Sequence, residues 1–240
     1  MTDTTCQESA MSMPRYGKPN LSYVSTWFAD PNDKPMWALN LMKYRPIADY
    51  QDGRDLSISG ADADLLYNPT GPLSDVGGRV FFASDVLHQI SGDAISWDRV
   101  AVAFYPKRMA MMEMQQLPEF IELHDHKDAA MEFTIVMATM PADDSQQPPD
   151  WSMLNEGDLV LVQVSNEQPS TDFASLISAR RVGTYAVEGV IVGDERTWTT
   201  ATWDIITQAD ADVLVAASTN LANPTRYAMI LQPLLDMMRN

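Results

Sequence analysis

Two short stretches hold the side chains best suited to chemistry. The first is Ser96-Trp97-Asp98-Arg99-Val100-Ala101-Val102-Ala103-Phe104-Tyr105-Pro106, which reads as a strand that stops at proline. Side chains alternate along a strand, so Val100, Val102 and Phe104 share one face while Trp97, Arg99, Ala101, Ala103 and Tyr105 share the other. One face is core; the other is a pocket wall or an interface. Arg99 could bind a carboxylate or stabilise an enolate there, and Tyr105 could donate to a developing oxyanion. Equally, Arg99 could pair with an acid such as Asp204 across two sheets, with Tyr105 packed beside it. The second stretch is Glu122-Leu123-His124-Asp125-His126-Lys127-Asp128. On a helix it brings Glu122 to His126 and His124 to Asp128 at i,i+4 spacing, on separate faces. That is not a chelating pair, and each face supplies at most two ligands, so no metal site is expected. His126 oriented by Glu122 would be a general base near neutral pH; otherwise the segment is a solvated helix end.

The elements that must position these groups follow from periodicity. Residues 1–34 read as an N-terminal arm. Met36 to Tyr44 is a strand with Trp37, Leu39 and Leu41 on one face and Met36, Ala38, Asn40, Met42 and Tyr44 on the other. Asn40 on an apolar strand must bond a neighbouring strand or face a ligand. Gly60 to Asn68 has helical composition, Arg79 to Ile90 reads as a strand, and Lys107 to Lys127 as helix broken or restarted at Pro118. Phe133 to Met140 is a fourth strand. Strand, helix, strand, strand, helix, strand is the ferredoxin-like order, which places a first repeat at 35–141. A proline-bearing linker covers 142–157. The same order then recurs over 158–240, with a helix capped by Ser170 or Thr171 and running to Arg181, and another from Asp210 to Asn220. Sliding the central strand by 101 lays Val100, Val102 and Phe104 on Ala201, Trp203 and Ile205, and a shift of 123 lays Asn40 on Gln163. A sheet with both helices on one face leaves the other bare, so two copies can cover each other. The expected fold is α+β: two tandem ferredoxin-like repeats packed sheet to sheet as an intrachain dimeric α+β barrel, with Asn40, Arg99, Tyr105 and Gln163 directed inward.

Composition limits the partners. The 240 residues carry 33 Asp+Glu against 16 Lys+Arg, a net charge of -17, which argues against nucleic acid and anionic membrane. The single cysteine, Cys6, cannot close a disulfide within the chain, no apolar run is long enough to span a bilayer, and the opening residues lack the pattern of a signal peptide. A cytoplasmic protein is expected. Met109, Met111, Met112 and Met114 are core filler or the pliable wall of an apolar pocket. Without a phosphate-binding glycine loop, a Cys-x-x-Cys or a Gly-x-Ser-x-Gly, nucleotide enzymes, zinc ribbons and serine hydrolases fall away.

Residues 36–140 also carry a recurring set of short motifs: Asn40-Leu41-Met42-Lys43-Tyr44, Asp49-Tyr50-Gln51-Asp52-Gly53, Gly60-Ala61-Asp62-Ala63 leading to Tyr67, Gly77-Gly78-Arg79-Val80, Trp97-Asp98-Arg99-Val100, Tyr105-Pro106-Lys107-Arg108, and Phe120 with His126-Lys127. Their order and spacing resemble the bacterial domain-of-unknown-function family thirteen-thirty, of dimeric α+β-barrel type. The chain departs from that pattern at Lys107, Phe120 and Lys127, where the family usually has Ser, Tyr and Arg. The resemblance implies a barrel that pairs sheet to sheet, usually as a homodimer; here the two halves of one chain are expected to do so, with a homo-oligomer left open. It adds Tyr44, Tyr67, Arg79 and Trp97 as substrate-binding candidates beside Asn40 and Gln163, and supports His126, Tyr105 and Arg99 as catalytic ones. Similar barrels host cofactor-independent oxygenases, polyketide cyclases, muconolactone isomerase-like enzymes and haem enzymes, so the resemblance supplies a scaffold and little chemistry. The expected function is small-molecule acid/base chemistry without a cofactor on an apolar carbonyl compound, or else a barrel that only binds a ligand.

Overall fold

A computed structural model describes residues 13–143, 148–149, 151–166, 173–218, 221–223 and 225–238. The arm contributes strand β1 (Lys18–Pro19) and helix α1 (Leu21–Trp27). The first half follows as β2 (Met36–Tyr44), α2 (Gly60–Leu66), α3 (Thr70–Asp75), β3 (Arg79–Gly92), β4 (Arg99–Tyr105), α4 (Arg108–Met114), α5 (Pro118–Ala130) and β5 (Met131–Pro141). The second comprises β6 (Leu159–Ser165), β7 (Arg180–Gly193), β8 (Thr200–Ile206), α6 (Gln208–Ala217), the two-residue β9 (Leu221–Ala222), β10 (Arg226–Pro233) and α7 (Leu235–Met238).

Eight strands close into a ring in the order β7-β5-β2-β4-β3-β10-β6-β8, with β8 returning to β7. Each half keeps the ferredoxin-like order, and the halves are hydrogen-bonded edge to edge as well as facing each other. The seams are made by the two longest strands, β3 and β7, each of 14 residues. Strand β3 pairs with β4 over Arg79–Asp85 and with β10 over Ser84–Ser91; β7 changes partner in the same way, from β8 to β5. Register shifts in both strands give the bends that carry a strand from one partner to the next.

Alternation decides which residues fill the barrel. Trp37, Leu39 and Leu41 of β2 and Val100 and Val102 of β4 point inward, where they meet Phe82, Trp97, Trp151, Val160, Val162, Trp198, Trp203 and Met229. Burying one indole of about 200 Å² at about 25 cal/mol per Å² contributes about 5 kcal/mol before entropy. The barrel interior is therefore packed core, and the expectation that Asn40, Arg99, Tyr105 and Gln163 point into it is corrected. They sit one residue out of phase with those large side chains, so they face outward, toward the helices. Trp97 is corrected in the opposite sense. It precedes the first residue of β4, so the strand alternation does not reach it, and its ring turns into the barrel to lie against Phe133 and Tyr227.

The helix expected near residues 171–181 is a single 3-10 turn, Phe173–Leu176, because β7 already starts at Arg180. Its expected caps, Ser170 and Thr171, lie outside the described residues, as do residues 144–147 and 150 of the expected linker and Cys6. On this half Leu159, Leu161, Ala228 and Ile230 cover the outer face of the sheet and pack against Ala211 and Leu214 of α6, which starts on a Thr207–Asp210 capping box. Among the described residues, no helix is long and apolar enough to cross a membrane.

Candidate functional site

The first half leaves room between its sheet and its helices. Three outward positions on β2 and β4 are alanine, Ala38, Ala101 and Ala103, and α2, α3, α4 and α5 bridge over them. The result is a cavity of about 280 Å³ between the sheet's outer face and the helices. That is the small end of the range for ligand pockets, about 300–1,000 Å³. Its walls are mainly apolar, with Leu73, Met111, Met112, Phe120 and Val136 among them. The arm supplies the roof through Pro14, Tyr16, Pro19, Leu21 and Val24. Arg15 fastens one end of that arm by ion pairs to Asp49 and Asp128, and β1 fastens the next part to β7. Further along, buried Arg108 joins Asp30 of the arm to Glu188 of β7.

Two helices deliver the polar groups. Gly60 lets α2 approach the backbone carbonyls of Arg45 and Ala130, which a β-carbon would meet at 2.4 and 2.6 Å. With α2 so seated, Asp64 and Tyr67 lie on the cavity side, at i,i+4 and i,i+7 from Gly60. Helix α5 starts at Pro118, whose missing N–H costs nothing at the first helical position. Its residues Phe120, His124 and Lys127 fall on the inner face, again at i,i+4 and i,i+7.

Asp64 is the buried acid of the site. Its Oδ2 accepts hydrogen bonds from the Tyr44 hydroxyl at 2.7 Å and from Arg99 Nη1 at 3.0 Å. Among the described residues, none falls on its Oδ1. Burial pushes the carboxyl above the usual carboxylate range, although Tyr44, Arg99 and Lys127 oppose the shift. Arg99 also donates to Asp85, at 3.0 Å from Nη2. The acid expected to pair with it, Asp204, instead bonds Arg181. Lys127 differs from these groups. Its Nζ lies 5.2 Å from the centre of the Tyr67 ring and 5.6 Å from that of Tyr16, and among the described residues it makes no ion pair or hydrogen bond. Burial lowers its pKa, while Asp64 pulls it upward. His124 Nε2 is 2.9 Å from the Tyr16 hydroxyl, and burial lowers this imidazole to about 4, which keeps it neutral near pH 7. Tyr105 is fully enclosed, its hydroxyl aimed at Met114 Sδ at 3.9 Å.

The structure brings Asn40, Tyr67, Arg99 and Tyr105 together in the cavity wall. Tyr44 stands behind them as the donor to Asp64. Trp97, Arg79, Gln163 and His126 are elsewhere. Arg79 is exposed, with its guanidinium 4.6 Å from the Phe104 ring centre. Gln163 belongs to the other half, where its Oε1 accepts from Phe173 N–H and Arg226. His126 faces away from the cavity because two residues turn a helix by about 200° relative to His124. Its Nδ1 shares a 2.6 Å hydrogen bond with the Tyr50 hydroxyl, which corrects the expectation of a Glu122 partner. Sequence reasoning passed over Asp64 and Tyr16, weighed His124 only as a metal ligand, and gave Lys127 no role in a site. The two i,i+4,i+7 series were the available signal. Among the described residues, no three His, Cys, Asp or Glu side chains converge as metal ligands.

No family model matches the chain, and no curated protein matches it. Among solved structures, methylated RPA0582 is 30% identical over 54% of this chain and 96% of its own, with a TM-score of 0.47. A second structure of RPA0582, a protein of unknown function from Rhodopseudomonas palustris, is 27% identical over 53% of this chain and 98% of its own, also at 0.47. An anthrone oxidase-like protein is 11% identical over 85% of this chain and 92% of its own, with a TM-score of 0.44.

Proposed function

We propose that the protein is a small-molecule enzyme that binds a mostly apolar carbonyl compound in the cavity of its first half and moves a proton on it without a cofactor, as in an isomerisation or cyclisation. One observation carries the reading: Asp64 and Lys127 line the same apolar cavity, one with an oxygen unbonded among the described residues and the other without an ion-pair partner there. A buried carboxylate is a stronger base than an exposed one, and Tyr44 and Arg99 hold Asp64 in place to take a proton from the carbon beside a carbonyl. Lys127, in its protonated form, and the Tyr67 hydroxyl then face the negative charge that develops on the carbonyl oxygen. The apolar wall excludes water and strengthens both interactions. Asn40 and Tyr105 shape the floor, and His126 takes no part. The strand order repeated in the two halves supports an internal duplication, with repeats at 35–141 and 158–240. The motif order over 36–140 supports kinship with family thirteen-thirty.

The test is proton exchange. Benzylacetone is incubated with the protein in deuterium oxide, and deuterium entering beside its carbonyl is followed by proton NMR. Exchange faster than buffer, lost in Asp64→Asn, is the expected result. Exchange unchanged in Asp64→Asn would remove that residue from the reaction. The second reading is a carrier that holds its ligand unchanged. It is favoured by the solid barrel interior and by Arg99 being already neutralised by two carboxylates. Binding without exchange selects it.

A further inference from the structure

We propose that Lys127 is a covalent amine nucleophile, which condenses with an aldehyde or ketone in the cavity to form an imine. This rests on the cavity being the ligand site, and it puts a covalent bond from the neutral amine in place of the contact between protonated Lys127 and the carbonyl oxygen. The chain has five lysines, at 18, 34, 43, 107 and 127. Lys18 and Lys34 are exposed, Lys43 pairs with Asp98 and Lys107 with Glu113. Lys127 alone among them lines the cavity, and its neighbours there are two aromatic rings. The ring faces attract a charged amine only weakly, whereas an apolar pocket that gives it no ion-pair partner among the described residues disfavours the charge, so Lys127 is displaced toward its neutral, nucleophilic form. The lowered pKa agrees with that geometry.

The chemistry balances with groups on the page. Neutral Lys127 adds its lone pair to the carbonyl carbon, so a C–N bond forms as the C=O π pair moves onto oxygen. The two amine hydrogens leave with that oxygen as water, and nothing is oxidised or reduced. Asp64, in the same cavity, is placed to return a proton to the departing oxygen and to hold the opposite charge when the imine is protonated. A protonated imine withdraws electrons from the adjacent carbon more strongly than a hydrogen-bonded carbonyl does. The substrate class is therefore an unhindered aldehyde or methyl ketone carried on an apolar body.

Hydrocinnamaldehyde is the probe, with sodium cyanoborohydride supplying the hydride that reduces any imine to a stable amine. The full chain is treated at neutral pH, digested, and the modified lysines are identified by mass spectrometry. Labelling at Lys127 about tenfold or more above each of the other four lysines is expected, because a larger share of this amine is neutral and because the cavity holds the aldehyde beside it. Hydrocinnamyl alcohol, which cannot condense, is titrated calorimetrically in parallel. Alcohol binding together with labelling spread evenly over the exposed lysines overturns the covalent role and leaves the cavity as a binding site. Failure of the alcohol to bind, with no preference for Lys127, overturns both. Because the peptide map is made on the unaltered protein, the outcome does not depend on a Lys127→Met variant folding. That variant, if folded, must lose the preferential adduct.

Discussion

Replacing Arg99 by methionine probes the electrostatic frame of the site directly. The substitution removes the guanidinium that Asp64 and Asp85 share and leaves an apolar stem in its place. The Asp85 side chain is 48% exposed and returns to water, so its pair with Arg99 contributes under about 1 kcal/mol. Asp64 is only 8% exposed and would keep Tyr44 alone. A buried charge stripped of its partner costs about 3–5 kcal/mol, a large part of the total of about 5–15 kcal/mol that holds a folded domain together. The loss depends on pH. The folded-state pKa of Asp64 is raised by burial, so its contribution to stability is present below the unfolded-chain value of 3.8 and is lost as pH rises through the folded value. Removing Arg99 raises that folded value further. Arg99→Met should therefore be mild in acid and approach its full cost toward neutrality. Urea unfolding followed by tryptophan fluorescence at about pH 5 and about pH 8 measures this. Adding Asp64→Asn should recover most of the loss, since no buried charge is then left over. A loss below about 1 kcal/mol, equal at both pH values, would show that water reaches Asp64 and would refute the argument for a buried, tuned acid.

Three further outcomes are expected. Burial holds His124 at about 4 against 6.5 for a free imidazole, so the unfolded chain takes up a proton that the folded one refuses. Stability should fall as pH drops through that window, with the slope reduced in His124→Asn; an unchanged slope would place the proton uptake elsewhere. Benzylacetone exchange should follow a bell in pH, with its acid limb above 3.8 and its basic limb below 10.5, because burial raises Asp64 and lowers Lys127. Limbs at or outside those ordinary values would mean that neither group carries the reaction. In Gly189→Ala, the new β-carbon would come within 2.7 Å of the Tyr23 ring. Helix α1 should be displaced at a cost of about 1–3 kcal/mol, and amide exchange over 21–27 should quicken; unaltered exchange would show that the Tyr23 contact does not hold the roof.

Much of the fold was legible because a strand's period is short and its two faces differ. In Trp37-Ala38-Leu39-Asn40-Leu41 and in Val100 to Phe104, larger and smaller residues alternate without a break, which locates β2 and β4. What alternation does not reveal is which face closes into the barrel. The polar members suggested a polar hollow inside, yet volume decides: Trp, Leu and Val fill a closed ring, and the alanine face is left to be spanned by helices. The site was harder to see on α5, where His124 and Lys127 interrupt the apolar stripe and hide which side is inward. His126 stood out by type and matched a family position, but helical rotation carries it to the far side. The helix expected in the second half was overruled by length, since β7 must be long enough to cross a seam.

Each strand of the ring has a neighbour on both sides within one polypeptide. A symmetric pair of identical chains repeats every substitution in both members, so whatever fills one member's chamber fills the other's as well. This chain is released from that constraint. Its second half packs Leu159, Leu161, Ala228 and Ile230 against α6, while its first keeps a cavity with a lysine in its wall. Such a molecule can be altered at one chamber while the opposite side serves as a fixed mould, which makes it a convenient scaffold for redesigning a pocket one wall at a time.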